Sequence, residues 1–420
     1  MNSLLLWATY GAIAGLPGEA PTLAQQVVLP PTDARPLLVV APRDVERAAM
    51  IIEFGVGGVD DGVSSGITHL SQYVLLEASR RMSSARRTEL VYGADATVEV
   101  TTGQLSCRFV VEGARGAFDD LAERLLRQIL SPDLDRGAFK EAVRRMYHQD
   151  LGSTGIDEAA LFSQAAMADY GFAESPDGDH TIMSNLTFGQ VQAHIAKHFR
   201  PANATVVLAG GFSSPRLSKV VRSFRGGARR PEAERRTTVA GVHRMSARFE
   251  VRLVGLPAPL GTPEQAAAMR MLGVVLRARV QRRFRAAGVS YATEVSVLRR
   301  PWLQFLLITV PTYGDPSFPI ERELNRLIGE VGAGDAFDEQ AFERYQRILL
   351  HDVERVDATP IALATELAMG KGQVPWFDPA VVAAARAMTF AEFRAQIAPW
   401  ASSERVAHVV LSPTEGRPKR

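Results

Sequence analysis

Residues 53–79 read EFGVGGVDDGVSSGITHLSQYVLLEAS, a glycine-punctuated approach to an apolar helix that opens near Ser65 and carries His69 in its first turn. From Gly66 onward the apolar letters fall on most sides of that helix, so it is expected to be largely buried. A zinc hydrolase can place two ligands and a general base on one helical face with His-x-x-Glu-His. Positions four apart lie one turn above each other, and the glutamate reaches a metal-bound water. The corresponding letters here are His69, Leu70, Ser71, Gln72 and Tyr73. Only the first ligand is kept.

Upstream of this helix, Leu37 to Ala41 and Ala49 to Val56 read as strands, and the helix itself is expected over Ser65 to Met82. Thr97–Thr101 and Gln104–Val111 alternate and are separated by Thr102-Gly103, a hairpin signal. Helical periodicity follows at Ala117–Leu130, Arg136–Leu151, Glu158–Tyr170 and Thr187–Phe199, and Ala204–Ala209 reads as a strand. Arg222 to Arg244, which contains GGARRPEAERR, lacks apolar periodicity and reads as a linker. Beyond it the order recurs: a strand at Arg248–Leu256, a helix at Thr262–Arg285, strands at Tyr291–Leu298 and Leu303–Val310, helices to Ile397, and a strand at Ala407–Leu411. Asp135, Ala138, Phe139, Arg144 and His148 match Asp338, Ala341, Phe342, Arg347 and His351 at one constant offset. The pattern predicts an α+β chain of two homologous halves, each a mainly antiparallel sheet with helices packed on one face.

Composition sets the class. Apolar residues make up 46% of the 420 and charged residues 22%, the profile of a globular protein, and the length suits two domains. A net charge of +2, with basic residues spread through the chain, gives nucleic-acid binding little support. The single Cys107 excludes an internal disulfide and is expected to point from a strand into a core. Leu4 to Leu16 is apolar but too short to span a bilayer, and Thr22-Leu23-Ala24 offers small residues before Gln25. Residues 1–24 therefore read as a secretory signal peptide, with domains at 25–221 and 245–415 around the linker at 222–244. The expected location is periplasmic or secreted, with no transmembrane segment.

The run at 53–79 resembles the first-helix region of the pitrilysin-type peptidases (M16, inverzincin or insulinase-like), a family that includes the mitochondrial processing peptidase and the cytochrome bc1 core subunits. FKEAVRRMYHQD at 139–150, PANATVVLAGGF at 201–212 and RRFRAAGVSYATEVS at 282–296 extend the resemblance over nearly all of the chain beyond residue 24. It implies the clam-shell fold of that family. The departures bear on activity. The resemblance puts the water-activating glutamate at Gln72, the second histidine at Tyr73, and the third ligand at Gln149, or at Asp150 if the register slips by one. Glutamine cannot accept a proton at neutral pH, and removal of a general base typically costs about 10² to 10⁴ in rate. His69, His148 and Asp150 form a candidate replacement metal set, but His148 is matched by His351, which favours a structural role for both. His194 and His198, in HIAKHF, have ligand spacing yet read as solvated residues of a surface helix.

The resemblance also implies that a tyrosine and an arginine of the second half hold substrate backbone. Tyr291 matches the first, and Arg283 or Arg285 the second; arginine suits bidentate contact with a carbonyl or carboxylate. Where the family carries a glycine-rich loop, this chain has MLGVVLRARV with Gly273 alone, so a continuous helix is expected. The resemblance and its departures together imply a pseudoenzyme without catalytic residues or cofactor. It would be the non-catalytic subunit beside an active M16 paralogue that carries the intact zinc motif, and it would form the opposite wall of a chamber with peptide contact. The alternatives are a core-protein-like structural subunit of a larger assembly and an active metallopeptidase with a displaced metal site.

Overall fold

The chain forms two sheets in succession, and the computed structural model describes residues 27–29, 34–152, 158–167, 172, 175–228, 241–247, 250–258, 261–300, 303–312, 317–334, 337–369 and 378–413. The first half comprises β1 (Val27–Leu29), β2 (Leu37–Pro42), β3 (Arg47–Phe54), α1 (Ile67–Glu77), α2 (Ser84–Gly93), β4 (Thr97–Thr102), β5 (Cys107–Ala114), α3 (Arg115–Leu130), α4 (Phe139–Gly152), α5 (Glu158–Ala166), α6 (His180–Met183), α7 (Phe188–His198), β6 (Ala204–Gly210) and α8 (Ser214–Ser223). The second comprises β7 (Gly241–Ala247), β8 (Val251–Ala258), α9 (Pro263–Ala286), β9 (Glu294–Arg300), β10 (Leu303–Pro311), α10 (Ile320–Ala333), α11 (Glu339–Asp357), α12 (Pro360–Met369), α13 (Pro379–Ala387), α14 (Phe390–Ile397) and β11 (Ala407–Pro413).

The two sheets share one topology. The first is six-stranded in the order β1-β2-β6-β3-β5-β4, and the second is five-stranded in the order β7-β11-β8-β10-β9. In each, the closing strand lies parallel to the opening one, β6 on β2 and β11 on β7, and the next three pairings are antiparallel. The offset that links His148 to His351 also carries β6 onto β11. The fold is the expected α+β arrangement of two like halves.

Helices of the first half cover one face of its sheet, where Met50, Phe54, Phe109 and Leu208 are buried beneath α1 and α3. The opposite face is covered from the other half. Leu363, Ala364, Leu367 and Ala368 of α12 lie in one buried cluster with Ala49, Ile51, Val207 and Ala209. The equivalent helix, α5, does the same in return: Phe162 packs edge-on against Phe305 at 5.3 Å and sits over Gly255, whose missing side chain leaves room for the ring. Each such fully buried large side chain contributes about 2–3 kcal/mol. With both faces covered, the central strands read as continuous apolar runs, as in RAAMIIEF of β3. Arg43 and Asp357 tie the halves with a charge-assisted bond of 2.6 Å.

Local signals explain several boundaries. Thr262 caps α9 through a box with Gln265, and Pro263 opens the helix. α9 then runs unbroken through Gly273, as expected, because Leu306 lies against that glycine and fills the space. Cys107 is fully buried on β5. The helix expected to reach Met82 stops at Glu77 instead, since Ser79 pairs with Leu134 and Arg80 N–H donates to the Asp133 carbonyl at 2.8 Å. The stretch read as linker contains the end of α8 and the start of β7; residues 229–240 lie outside the described residues. So do the proposed signal segment and residues 248–249, which the sequence placed in a strand.

Candidate functional site

α1 begins where two glycines meet. Gly66 has φ of 86° and Gly178 has φ of 82°, and a side chain on either would overlap the other segment or Met183. The Asp61 carboxylate ties the helix start by accepting from Gly66 N–H at 2.7 Å, Thr68 N–H at 3.1 Å and Thr68 Oγ1 at 2.6 Å. Burial raises the Asp61 pKa to about 6, against the opposing pull of these hydrogen bonds.

This start turns successive side chains of α1 in different directions. Thr68 points to α7, where its Oγ1 lies 3.0 Å from His194 Nε2. The single hydroxyl proton of Thr68 goes to Asp61, so His194 supplies the N–H from Nε2. Burial, helped by the charges of His198 and Lys197, lowers the His194 pKa to about 3 and keeps the ring neutral. His194 is therefore buried rather than solvated, which corrects the surface-helix reading: residue spacing located α7 correctly but not the Thr68 hydroxyl that takes in its histidine. The His194 and His198 rings lie tilted against each other with centres 4.6 Å apart.

His69 and Gln72 point to the β4–β5 hairpin. His69 Nδ1 lies 2.7 Å from Thr102 Oγ1, and Thr102 donates its proton to Gln72 Oε1 at 2.6 Å. The Gln72 amide nitrogen donates to the Arg108 carbonyl at 2.9 Å and to the Thr101 carbonyl at 3.3 Å. Gln72 has no exposed surface and His69 only 5%. These partners fix the direction of every bond: an amide nitrogen faces two carbonyl oxygens, and Nδ1 of His69 must be the donor to Thr102. A carboxylate at residue 72 would aim an oxygen at those carbonyls. Tyr73, also buried, stands edge-on to His69 with ring centres 5.2 Å apart. Asp177 Oδ1 lies 3.8 Å from His69 Nδ1.

The positions of His69, Gln72 and Tyr73 thus hold a structural polar network. A neutral amide is a poor ligand and no base, and a phenol that ionises near pH 10 is a weak substitute for imidazole. These side chains do not fit a catalytic zinc. Gln149 and Asp150 belong to α4, which packs on α1, but their side chains lie outside the described residues. His148 and its counterpart His351 are both exposed. Among the described residues no three His, Cys, Asp or Glu side chains converge to hold a metal.

In the second half, Tyr291 is 60% exposed beyond the end of α9. Arg283 is engaged at 2.8 Å with Glu323, and its guanidinium lies 5.3 Å from the centre of the Phe318 ring; Arg285 is exposed on the same last turn. The network residues Thr102, Thr68 and Asp61 were not legible as functional. Thr102 reads as a hairpin residue, and Asp61 lies in the glycine-punctuated approach to the helix without a reading of its own.

No protein-family profile and no curated protein matches the sequence. Solved structures do match the fold. A protease from Helicobacter pylori matches with a TM-score of 0.74 at 11% identity, over 93% of this chain and 100% of that one. A peptidase M16 inactive domain from Pseudomonas fluorescens gives 0.73 at 14% identity, over 94% and 99%. The periplasmic protease PqqL from Escherichia coli gives 0.70 at 11% identity, over 94% of this chain and 48% of that one.

Proposed function

We propose that this chain, which has the fold of the M16 peptidases, works as the non-catalytic subunit of a heteromeric zinc peptidase whose active paralogue carries the intact His-x-x-Glu-His. The observation that carries the proposal is the Gln72 amide, held by Thr102, Thr101 and Arg108 in place of a general base. The scaffold around the motif is kept while its chemistry is exchanged for hydrogen bonds, as expected of a chain retained for its shape. The inactive M16 domain from Pseudomonas fluorescens supports a non-catalytic role for this fold. PqqL supports the pairing, since a chain about twice as long matches this one over half its length. In this reading the chain forms one wall of a peptide chamber, and Tyr291 with Arg285 or Arg283 touches the peptide. Zinc belongs to the partner. The short apolar N-terminal segment and the likeness to a periplasmic protease support export, and no helix among the described residues is long and apolar enough to cross a membrane.

The test is gentle isolation from the native source, then mass spectrometry of what accompanies the chain. A stoichiometric companion with His-x-x-Glu-His is the expected result. Recovery alone, or with the subunits of an unrelated complex, overturns the pairing and favours a structural subunit.

A further inference from the structure

α7 has a second face. While His194 turns toward Thr68, the neighbouring Ile195 and Phe199, both almost wholly buried, underlie a cleft of about 800 Å³ between α7, the end of α3 and the chain after α8. The half-buried Leu134 and Phe188 supply the apolar surface of its floor, over the buried Leu130. Its lining includes three exposed arginines, Arg80, Arg136 and Arg200, and one acid, Asp133, whose carboxylate lies 3.9 Å from Arg80.

The cleft is built rather than incidental. Arg200 Nε donates to the Ala196 carbonyl at 2.7 Å, which fixes the side chain across the last turn of α7. Its stem lies over Gly227, where φ is 76° and any side chain would overlap Arg200. On the opposite wall, the Ser79–Leu134 bridge and the Arg80 N–H bond to Asp133 hold the backbone that carries Arg80. A guanidinium held as at Arg200 loses little freedom on binding, and arginines match carboxylates with two parallel bonds.

We propose that this cleft docks an acidic segment of a partner protein, in which carboxylates flank a large apolar side chain. The apolar side chain fills the floor and the carboxylates meet the arginine rim. Three arginines set around an aliphatic and aromatic floor give no extended basic track for a phosphate backbone, which does not suit duplex nucleic acid. The inference stands apart from the pairing proposed above, because the cleft shares no residue with the His69 network.

The test uses the full chain and a fluorescein-labelled peptide, Glu-Asp-Leu-Phe-Asp-Glu, read by fluorescence anisotropy. Saturable binding that weakens with added salt is expected. The double variant Arg136→Glu/Arg200→Glu is expected to weaken it at least about tenfold, whereas Arg347→Glu, on the exposed surface of α11, leaves it unchanged. Gly227→Ala keeps every charge but displaces Arg200, and should also weaken binding. Thermal melts confirm that each variant is folded. Absence of saturable binding, equal binding by the double variant, or adsorption to phosphatidylserine vesicles through the same arginines in place of peptide binding would overturn the proposal.

Discussion

Thr102 donates its only hydroxyl proton to Gln72 across 2.6 Å, and that one bond sets the direction of the whole buried network. His69 must then donate to Thr102, and the Gln72 amide nitrogen must face the carbonyls of Thr101 and Arg108. The position that resembles the site of a general base is occupied by a group whose donors are both taken by backbone carbonyls.

Restoring the acid at that position should therefore damage the protein. Gln72→Glu places a carboxyl oxygen against two carbonyls and is expected to cost about 2–4 kcal/mol at pH 7.5. The buried glutamate would be held protonated, with its folded pKa above the unfolded one. The penalty is then largest above the folded pKa and shrinks as pH falls toward the unfolded value. Urea denaturation of variant and wild type at pH 7.5 and pH 5 measures this; a variant as stable as wild type at pH 7.5 would count against the directed network.

Asp61 and His194, joined through Thr68, should pull the pH dependence of stability in opposite directions. Asp61 has its pKa raised to about 6, so its stabilisation is complete below the unfolded value and is lost as pH rises to about 6. His194 has its pKa lowered to about 3, so its stabilisation is complete above the unfolded value and is lost as pH falls. Between roughly pH 4 and 6 the two slopes largely cancel. Asp61→Asn should leave stability rising with pH across that window, and His194→Gln should leave it falling, each by up to roughly 1.4 kcal/mol per pH unit. Denaturant melts from pH 4 to 7 give the slopes, and parallel profiles for the two variants would refute the assignment.

Phe162 belongs to the first half by sequence and to the second by packing. Phe162→Ala empties the space over Gly255 and beside Phe305, and is expected to cost about 3–5 kcal/mol. Gly255→Ala should also destabilise, since its methyl would overlap the ring. Because α5 and α12 each cover the sheet of the other half, unfolding should remain one cooperative transition. A separate early transition of the second half in calorimetry would argue against the reciprocal packing.

A specific protease site inserted between residues 229 and 240 offers a direct check. After complete cleavage the two pieces are expected to co-elute at the size of the intact chain and to separate only in denaturant. Dissociation at neutral pH without denaturant would show that the mutual covering contributes little.

Much of this architecture was legible in the sequence, and the parts that were not share a cause. Alternation placed β4 and β5, the recurring element order placed α9, and the constant offset between His148 and His351 carried the equivalence of the halves. Periodicity reports which face of an element is apolar but not what covers it. The burial of His194 depends on a hydroxyl 126 positions away, and the exchange of α5 and α12 on contacts between halves. β7 went unseen because GVHRMSA mixes charge with apolar letters at the sheet edge, where burial imposes no strict alternation. α2 was missed because SARRTELVYG buries little besides Arg87. At the candidate site, the sequence showed which letters depart from the zinc pattern, whereas Thr102 and Asp61 acquire their roles only when the hairpin and the glycine turn bring them to α1.

The reciprocal placement of α5 and α12 also bears on ancestry. If each half descends from one duplicated unit, the unit on its own would have left one sheet face bare. Two copies related by a two-fold axis would have closed it by lending each other that helix. The present chain then preserves the interface of an ancient homodimer inside a single polypeptide, and gene loss could not remove one half without exposing the other.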